Sequence, residues 1–176
     1  IDGNQFDTIY HEHYSYFSFV AVERVFAAHG LELFDVEELA THGGSLRIFA
    51  RHDAASGRTS AARAAKTSRV SELLARERAA GVETLDYYAG YSERVRETKR
   101  ALLDFLIREK RAGKRIVGYG APAKGNTLLN YCGIRGDFLE YTVDRSPHKQ
   151  GLFLPGTRIP IRAPEEIFET RPDYVL

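Results

Sequence analysis

The sequence predicts an α/β protein whose carboxy-terminal part is a parallel sheet with helical crossovers. Three observations carry that prediction. Short apolar runs at 115–119 and 138–143, and another opening at 173, alternate with helical stretches, and strand–helix–strand alternation implies a parallel sheet with right-handed crossovers. A glycine turn, Gly118–Gly125, lies between the first run and a helix. The stretch before it is rich in Ala and Arg, a strongly helical composition.

Taken in order, residues 1–14 are aromatic and polar, dense in Tyr and His. Ser15–His29 carries a broad apolar face suited to a buried helix, and Gly30 stands where a helix ends. Leu31–Val36 and Leu46–Ala50 alternate apolar and polar residues and read as two strands. The turn Thr41–Ser45 connects them. Residues 53–60 are small and polar, a linker. Ser60–Ala80 reads as a helix anchored by Val70, Leu73 and Leu74 and ended by Gly81. Leu85–Ala112 reads as a second helix, with Tyr88, Tyr91, Val95, Thr98, Leu102, Phe105 and Leu106 at spacings of three and four. Gly113 stops it. Arg115–Tyr119 is a strand, Pro122 opens a helix running through Leu128–Tyr131, and Gly133 closes it. Phe138–Val143 is the next strand, ending at Asp144. Ile159–Ile161, a short helix at Pro164–Phe168 and a strand at Asp173–Leu176 complete the pattern.

The 176 residues suffice for one domain or parts of two. Twenty-five Lys and Arg against 24 Asp and Glu give a net charge of +1, which argues against a nucleic-acid partner. The 43% apolar and 28% charged content excludes disorder as the main state. A lone cysteine, Cys132, permits no internal disulfide and fits a reducing compartment. No apolar run approaches the roughly 20 residues that span a bilayer, and no signal peptide is visible. The expectation is a cytoplasmic protein without a membrane partner. The chain has no methionine and opens on Ile1, and residues 172–176 read as a strand just begun, so a fragment of a longer protein is expected.

Three clusters have chemistry. The first is Tyr10-His11-Glu12-His13. It reads as a polar loop with exposed histidines, as a metal site with His11 and His13 on one strand face, or as a general acid–base centre. For the metal reading, His42, His52, Cys132 and His148 show no partner spacing. The second is Gly118–Gly125. N–H groups at the start of its helix can hold phosphate oxygens, with Lys124 adding charge. Gly118, Gly120 and Ala123 also satisfy the loose dinucleotide pattern G-x-G-x-x-G/A, with Asp144 where a ribose-binding acid would lie. A tight turn that only packs a helix on a strand is the structural alternative. The third is Asp144–Gly151, at the carboxyl end of a strand, where open α/β sheets bind ligands. The Thr41–Arg47 stretch (THGGSLR) reads as a turn, with Arg47 on a strand surface.

Together these stretches resemble the sugar C-methyltransferases that act on nucleotide-linked 4-keto-deoxysugars. The matching residues are Phe6–Ser18, Thr41–Arg47, Gly118–Asn130, and Asp144–Ile161 with its Lys-Gln-Gly and Pro-Gly-Thr-Arg-Ile-Pro-Ile. The resemblance implies three parts. Residues 1–52 are the tail of an S-adenosylmethionine-dependent domain of the class I methyltransferase fold, comprising its last helix and strand pair and carrying the Tyr-His-Glu-His segment. Residues 53–113 are a linker and helical connection. Residues 114–176 are a Rossmann-like domain binding the nucleotide sugar. Zinc is implied in an amino-terminal module of the parent and no metal in this chain. S-adenosylmethionine is implied to bind mainly upstream.

The resemblance also implies a mechanism. A base removes the C3 proton beside the C4 ketone, and the enolate takes the methyl group. His13 matches the base. Tyr10 and Glu12 match its active-site neighbours, Tyr10 donating to the enolate oxygen and Glu12 orienting His13 or a sugar hydroxyl. Gly120, Lys124, Asn126 and Thr127, with Lys149, are the expected contacts of the nucleotide diphosphate, thymidine diphosphate (dTDP) being the family's usual choice. This chain alone is expected not to methylate. Two other readings stay open: an NAD(P)-dependent oxidoreductase built on Gly118–Asp144, and a non-catalytic nucleotide-binding domain.

Overall fold

The computed structural model describes residues 2–52 and 66–176. The chain forms two compact units. One holds residues 1–3 and 15–91, the other residues 4–14 and 92–176. This partition differs from the sequence boundaries: the Tyr10–His13 stretch belongs to the unit that holds the carboxy-terminal sheet, and the connection expected over 53–113 is divided after residue 91.

In the first unit, helix α1 (Phe19–Ala28) lies on a two-stranded antiparallel hairpin, β1 (Leu31–Leu39) and β2 (Ser45–His52). The helix begins later than its apolar pattern suggests, because Ser18 caps it by accepting from the Ala21 N–H. Helix α2 (Ser68–Ala80) adds a second cap: Glu77 accepts from the Phe19 N–H at 2.9 Å and the Val20 N–H at 2.8 Å. A carboxylate there meets both orphan donors and the positive helix end. The core is Phe19, Val20, Leu33, Val36, Val70, Leu73 and Leu74. Asp35 sits at a register shift in β1 and accepts from the Thr67 hydroxyl at 2.6 Å and from Arg69. Thr67 and then Arg69 hold its carboxyl below the usual range. Arg47 pairs with Glu37 across the hairpin at 3.0 Å and is exposed, as a strand-surface residue should be. The linker at 53–60 and the first residues of the helix expected from Ser60 lie outside the described residues. The helix expected over 85–112 is two helices, α3 (Leu85–Ala89) and α4 (Tyr91–Arg111), separated at Gly90.

The second unit contains a four-stranded parallel sheet in the order β5-β4-β3-β6, formed by β3 (Ile116–Tyr119), β4 (Thr142–Val143), β5 (Ile161–Arg162) and β6 (Tyr174–Val175). The α/β class predicted from sequence is the class observed. Helix α5 (Ala123–Cys132) follows β3, and the short helix α6 (Glu166–Thr170) precedes β6. Alternation along β3 divides two buried clusters. Ile116 packs with Leu106 of α4, Leu129 of α5, Ile134, Leu139 and Ile159. Val117 packs with Tyr141, Val143 and Ile167 of α6.

The strand expected over Phe138–Val143 is shorter. Phe138 and Leu139 close a turn on the Arg135 carbonyl, and strand geometry is confined to Thr142–Val143. Their apolar character serves burial instead, Leu139 being fully inside the core. No described helix is long and apolar enough to cross a membrane.

Candidate active site

The Tyr10–His13 stretch is fixed from below by its own flanks. Asn4 adopts a left-handed conformation, which asparagine tolerates, and its amide donates to the Thr98 hydroxyl at 2.6 Å and the Arg94 carbonyl at 3.2 Å on α4. Phe6 is 7% exposed and its ring lies 5.1 Å from that of Tyr131 on α5. Phe6–Thr8 forms a 3₁₀ turn closed by the Ile9 N–H on the Phe6 carbonyl. The chain then turns again, the His13 N–H donating to the Tyr10 carbonyl at 3.0 Å. Residues 10–13 are thus a turn, which corrects the strand geometry invoked for a shared His11–His13 metal face. Among the described residues no group of three or more His, Cys, Asp and Glu side chains is placed to hold a metal ion.

The turn brings Tyr10 and His13 together, ring centroids 4.3 Å apart. His13 Nδ1 lies 2.9 Å from the Thr8 carbonyl oxygen. A carbonyl only accepts, so Nδ1 carries a proton and, in the neutral ring, Nε2 carries the lone pair. Glu12 is exposed, with its carboxylate 3.8 Å from His11 Nε2. The orientation of His13 comes from a backbone carbonyl that sequence reading assigned no part. No residue type announces a carbonyl, so the sequence holds no signal for it.

The glycine turn is built by crowding. A Cβ on Gly118 would lie 2.7 Å from the Thr142 hydroxyl, and Gly120 has φ +98°, which a side chain disfavours. The Thr142 hydroxyl donates to the Gly120 carbonyl at 2.8 Å. Two N–H groups of the turn are spent internally. That of Gly120 bonds the Val143 carbonyl, and that of Ala121 bonds Asp144 Oδ2 at 2.7 Å. Asp144 Oδ1 accepts from the Ser146 N–H at 2.8 Å, and the Gln150 amide donates to the Asp144 carbonyl. The Lys149 ammonium donates to the Ala121 carbonyl at 2.9 Å and lies 3.4 Å from Asp144 Oδ2. Burial pushes the Asp144 carboxyl up, but the Ser146 and Ala121 N–H groups and Lys149 outweigh it and hold it below the usual range. The acid expected to bind a ribose is therefore turned onto the glycine turn and the start of its own loop, a correction to the dinucleotide reading.

Helix α5 opens at Pro122, whose side chain offers no cap, and its intrahelical bonding begins with the Asn126 N–H on the Pro122 carbonyl. Its first turn thus presents backbone donors, as anion-binding helices do. Lys124 is half-buried in that turn. Asn126 Oδ1 is buried and has no hydrogen-bond partner. The Thr127 hydroxyl reaches the Ile9 carbonyl at 3.3 Å and the Ala123 carbonyl at 3.2 Å. The segment leading into the Tyr10–His13 turn and the glycine-turn helix therefore meet within one unit, at Thr127 and Ile9.

The unit thus combines a parallel α/β sheet with a histidine oriented by a backbone carbonyl, on a segment that packs against the helix following the glycine turn. The comparison with known families is specific: the family model described as the C-methyltransferase C-terminal domain matches residues 40–176, and the chain belongs to that family. It is also similar to C-methyltransferase NovU of Streptomyces niveus, 41% identical over 179 residues that cover 100% of this chain and 40% of that protein. The chain thus spans 40% of the length of the curated relative it matches.

Proposed function

We propose that the chain is the base-carrying part of an S-adenosylmethionine-dependent enzyme that methylates C3 of a nucleotide-linked 4-keto-deoxysugar, with thymidine diphosphate as the nucleotide. The reading rests chiefly on one observation: the Thr8 carbonyl fixes His13 in the tautomer whose Nε2 accepts a proton. Nε2 takes the C3 proton. The C–H electron pair moves into the C3–C4 bond, and negative charge gathers on the C4 oxygen. The Tyr10 hydroxyl donates to that oxygen, and a preorganised donor at a developing oxyanion is where catalytic stabilisation is largest. Glu12 holds a sugar hydroxyl.

The diphosphate lies at the first turn of α5, with Lys124, Asn126 and Lys149 contributing and Gly120 giving the turn its shape. S-adenosylmethionine would supply the methyl group as electrophile. Its binding is assigned mainly to the enzyme's upstream part, in keeping with the use of the Gly120 and Ala121 N–H groups by the Val143 carbonyl and Asp144.

The test is exchange of the substrate's C3 hydrogen with deuterated water by the complete enzyme, without methyl donor. Replacing His13 by Ala should abolish exchange while leaving nucleotide-sugar binding intact. Exchange at the wild-type rate in that variant defeats the reading. Calorimetric titration of this chain with thymidine diphosphate tests the diphosphate site, where Lys124→Ala and Lys149→Ala should each weaken binding.

A further inference from the structure

The base turn has no regular secondary structure of its own. His11, Glu12, His13 and Tyr14 are all exposed, so burial of their side chains does not fix the turn. Asn4 anchors its leading end on α4, and the anchors nearest the turn itself lie on α5. Phe6 is seated against Tyr131, and the Thr127 hydroxyl reaches the Ile9 carbonyl. Between these two anchors stands Thr8, whose carbonyl receives the His13 Nδ1 proton.

We infer that Thr127 is a positioning residue for His13 and not a ligand of the diphosphate: it ties the base turn to the same helix whose first turn faces the anion. The inference rests on the reading of His13 as the base. Its chemical ground is the donor count. A threonine hydroxyl has one proton, shared here between two carbonyls, Ile9 O at 3.3 Å and Ala123 O at 3.2 Å. A phosphate oxygen only accepts, so it competes for a donor already used within the protein. With the tie in place, the reacting end of the site and its phosphate end ride on one rigid element. Their separation is then set by α5 and needs no further ordering when substrate binds. Such pre-positioning acts on the chemical step, because small displacements of a base from its proton are costly.

The experiment has a spectroscopic arm and a kinetic one. Long-range proton–nitrogen spectra of the His13 ring in this chain, at a pH where it is neutral, should show the proton on Nδ1. Thr127→Val should lose much of that signal toward the Nε2–H form, and Thr127→Ser, which keeps the hydroxyl, should restore it. A wild-type ring protonated on Nε2, or a valine variant with the wild-type spectrum, overturns the inference. In the complete enzyme, Thr127→Val should lower kcat about tenfold with KM for the nucleotide sugar unchanged. A raised KM at unchanged kcat makes Thr127 a substrate ligand and also overturns it. His13→Ala separates the two ideas: full turnover in that variant defeats the base reading, whereas the tautomer result reports only on the tie.

Discussion

The Ala121 N–H donates to Asp144 Oδ2 at 2.7 Å, joining the loop after β3 to the loop after β4. Lys149 reaches both ends of that bond, through the Ala121 carbonyl and the Asp144 carboxylate. The carboxyl end of the sheet, where open α/β sheets bind ligands, is therefore braced before any ligand arrives.

Replacing Asp144 by Asn should loosen that brace and cost about 1–3 kcal/mol, the penalty for leaving buried donors poorly paired. The cost should depend on pH. The folded-state pKa of Asp144 is lowered, so its contribution is fully present above its unfolded value near 4 and is lost as pH falls through the folded one. Urea melts of both proteins across pH should show the gap widest near neutrality and closing below about pH 4. A gap independent of pH refutes the assignment.

Gly118→Ala should destabilise the sheet by roughly 1–3 kcal/mol, since the new methyl group meets the Thr142 side chain. Adding Thr142→Ala should recover part of that loss. Strict additivity in the double-mutant cycle would show that the two positions do not clash.

Glu77 serves α1 from another helix. Glu77→Ala should cost about 1–2 kcal/mol, as loss of an amino-terminal cap does, and Glu77→Gln less, because an amide oxygen still accepts. Hydrogen exchange of the Phe19 and Val20 amides should accelerate in the alanine variant. Unchanged protection would mean that another group caps the helix.

Phe6→Ala should release the segment over 4–14 while the sheet stays folded. The buried ring is worth roughly 3 kcal/mol, enough to detach a short segment. Limited proteolysis within residues 5–14, with the thermal midpoint of the sheet nearly unchanged, is the expected result. Cooperative loss of the whole unit would contradict it.

Much of this was legible in the sequence. The strand–glycine turn–helix at 116–132 and the parallel sheet followed from apolar runs and punctuation, which report local geometry directly. The family followed from motifs in their order. The run at Phe138 misled because apolar residues mark burial, and Leu139 reaches the core from a turn as well as it would from a strand. The break at Gly90 was hidden because the apolar spacing continues across it. The orientation of Asp144 was not legible because its nearest partners are backbone groups, the Ala121 and Ser146 N–H, with Lys149 beside them. Position after a strand says that an acid is near the ligand edge, not which way it points. For the same reason, Tyr10 and His13 could be chosen by residue type while the Thr8 carbonyl that orients His13 could not.

Thr142 bears on Gly118 and Gly120 at once, crowding one and holding the carbonyl of the other. Both glycines are then demanded by the bare fold. A relative put to any other use would still be under pressure to keep them. The glycine pair is therefore a record of the fold, and finding it in a relative says nothing about what the turn binds.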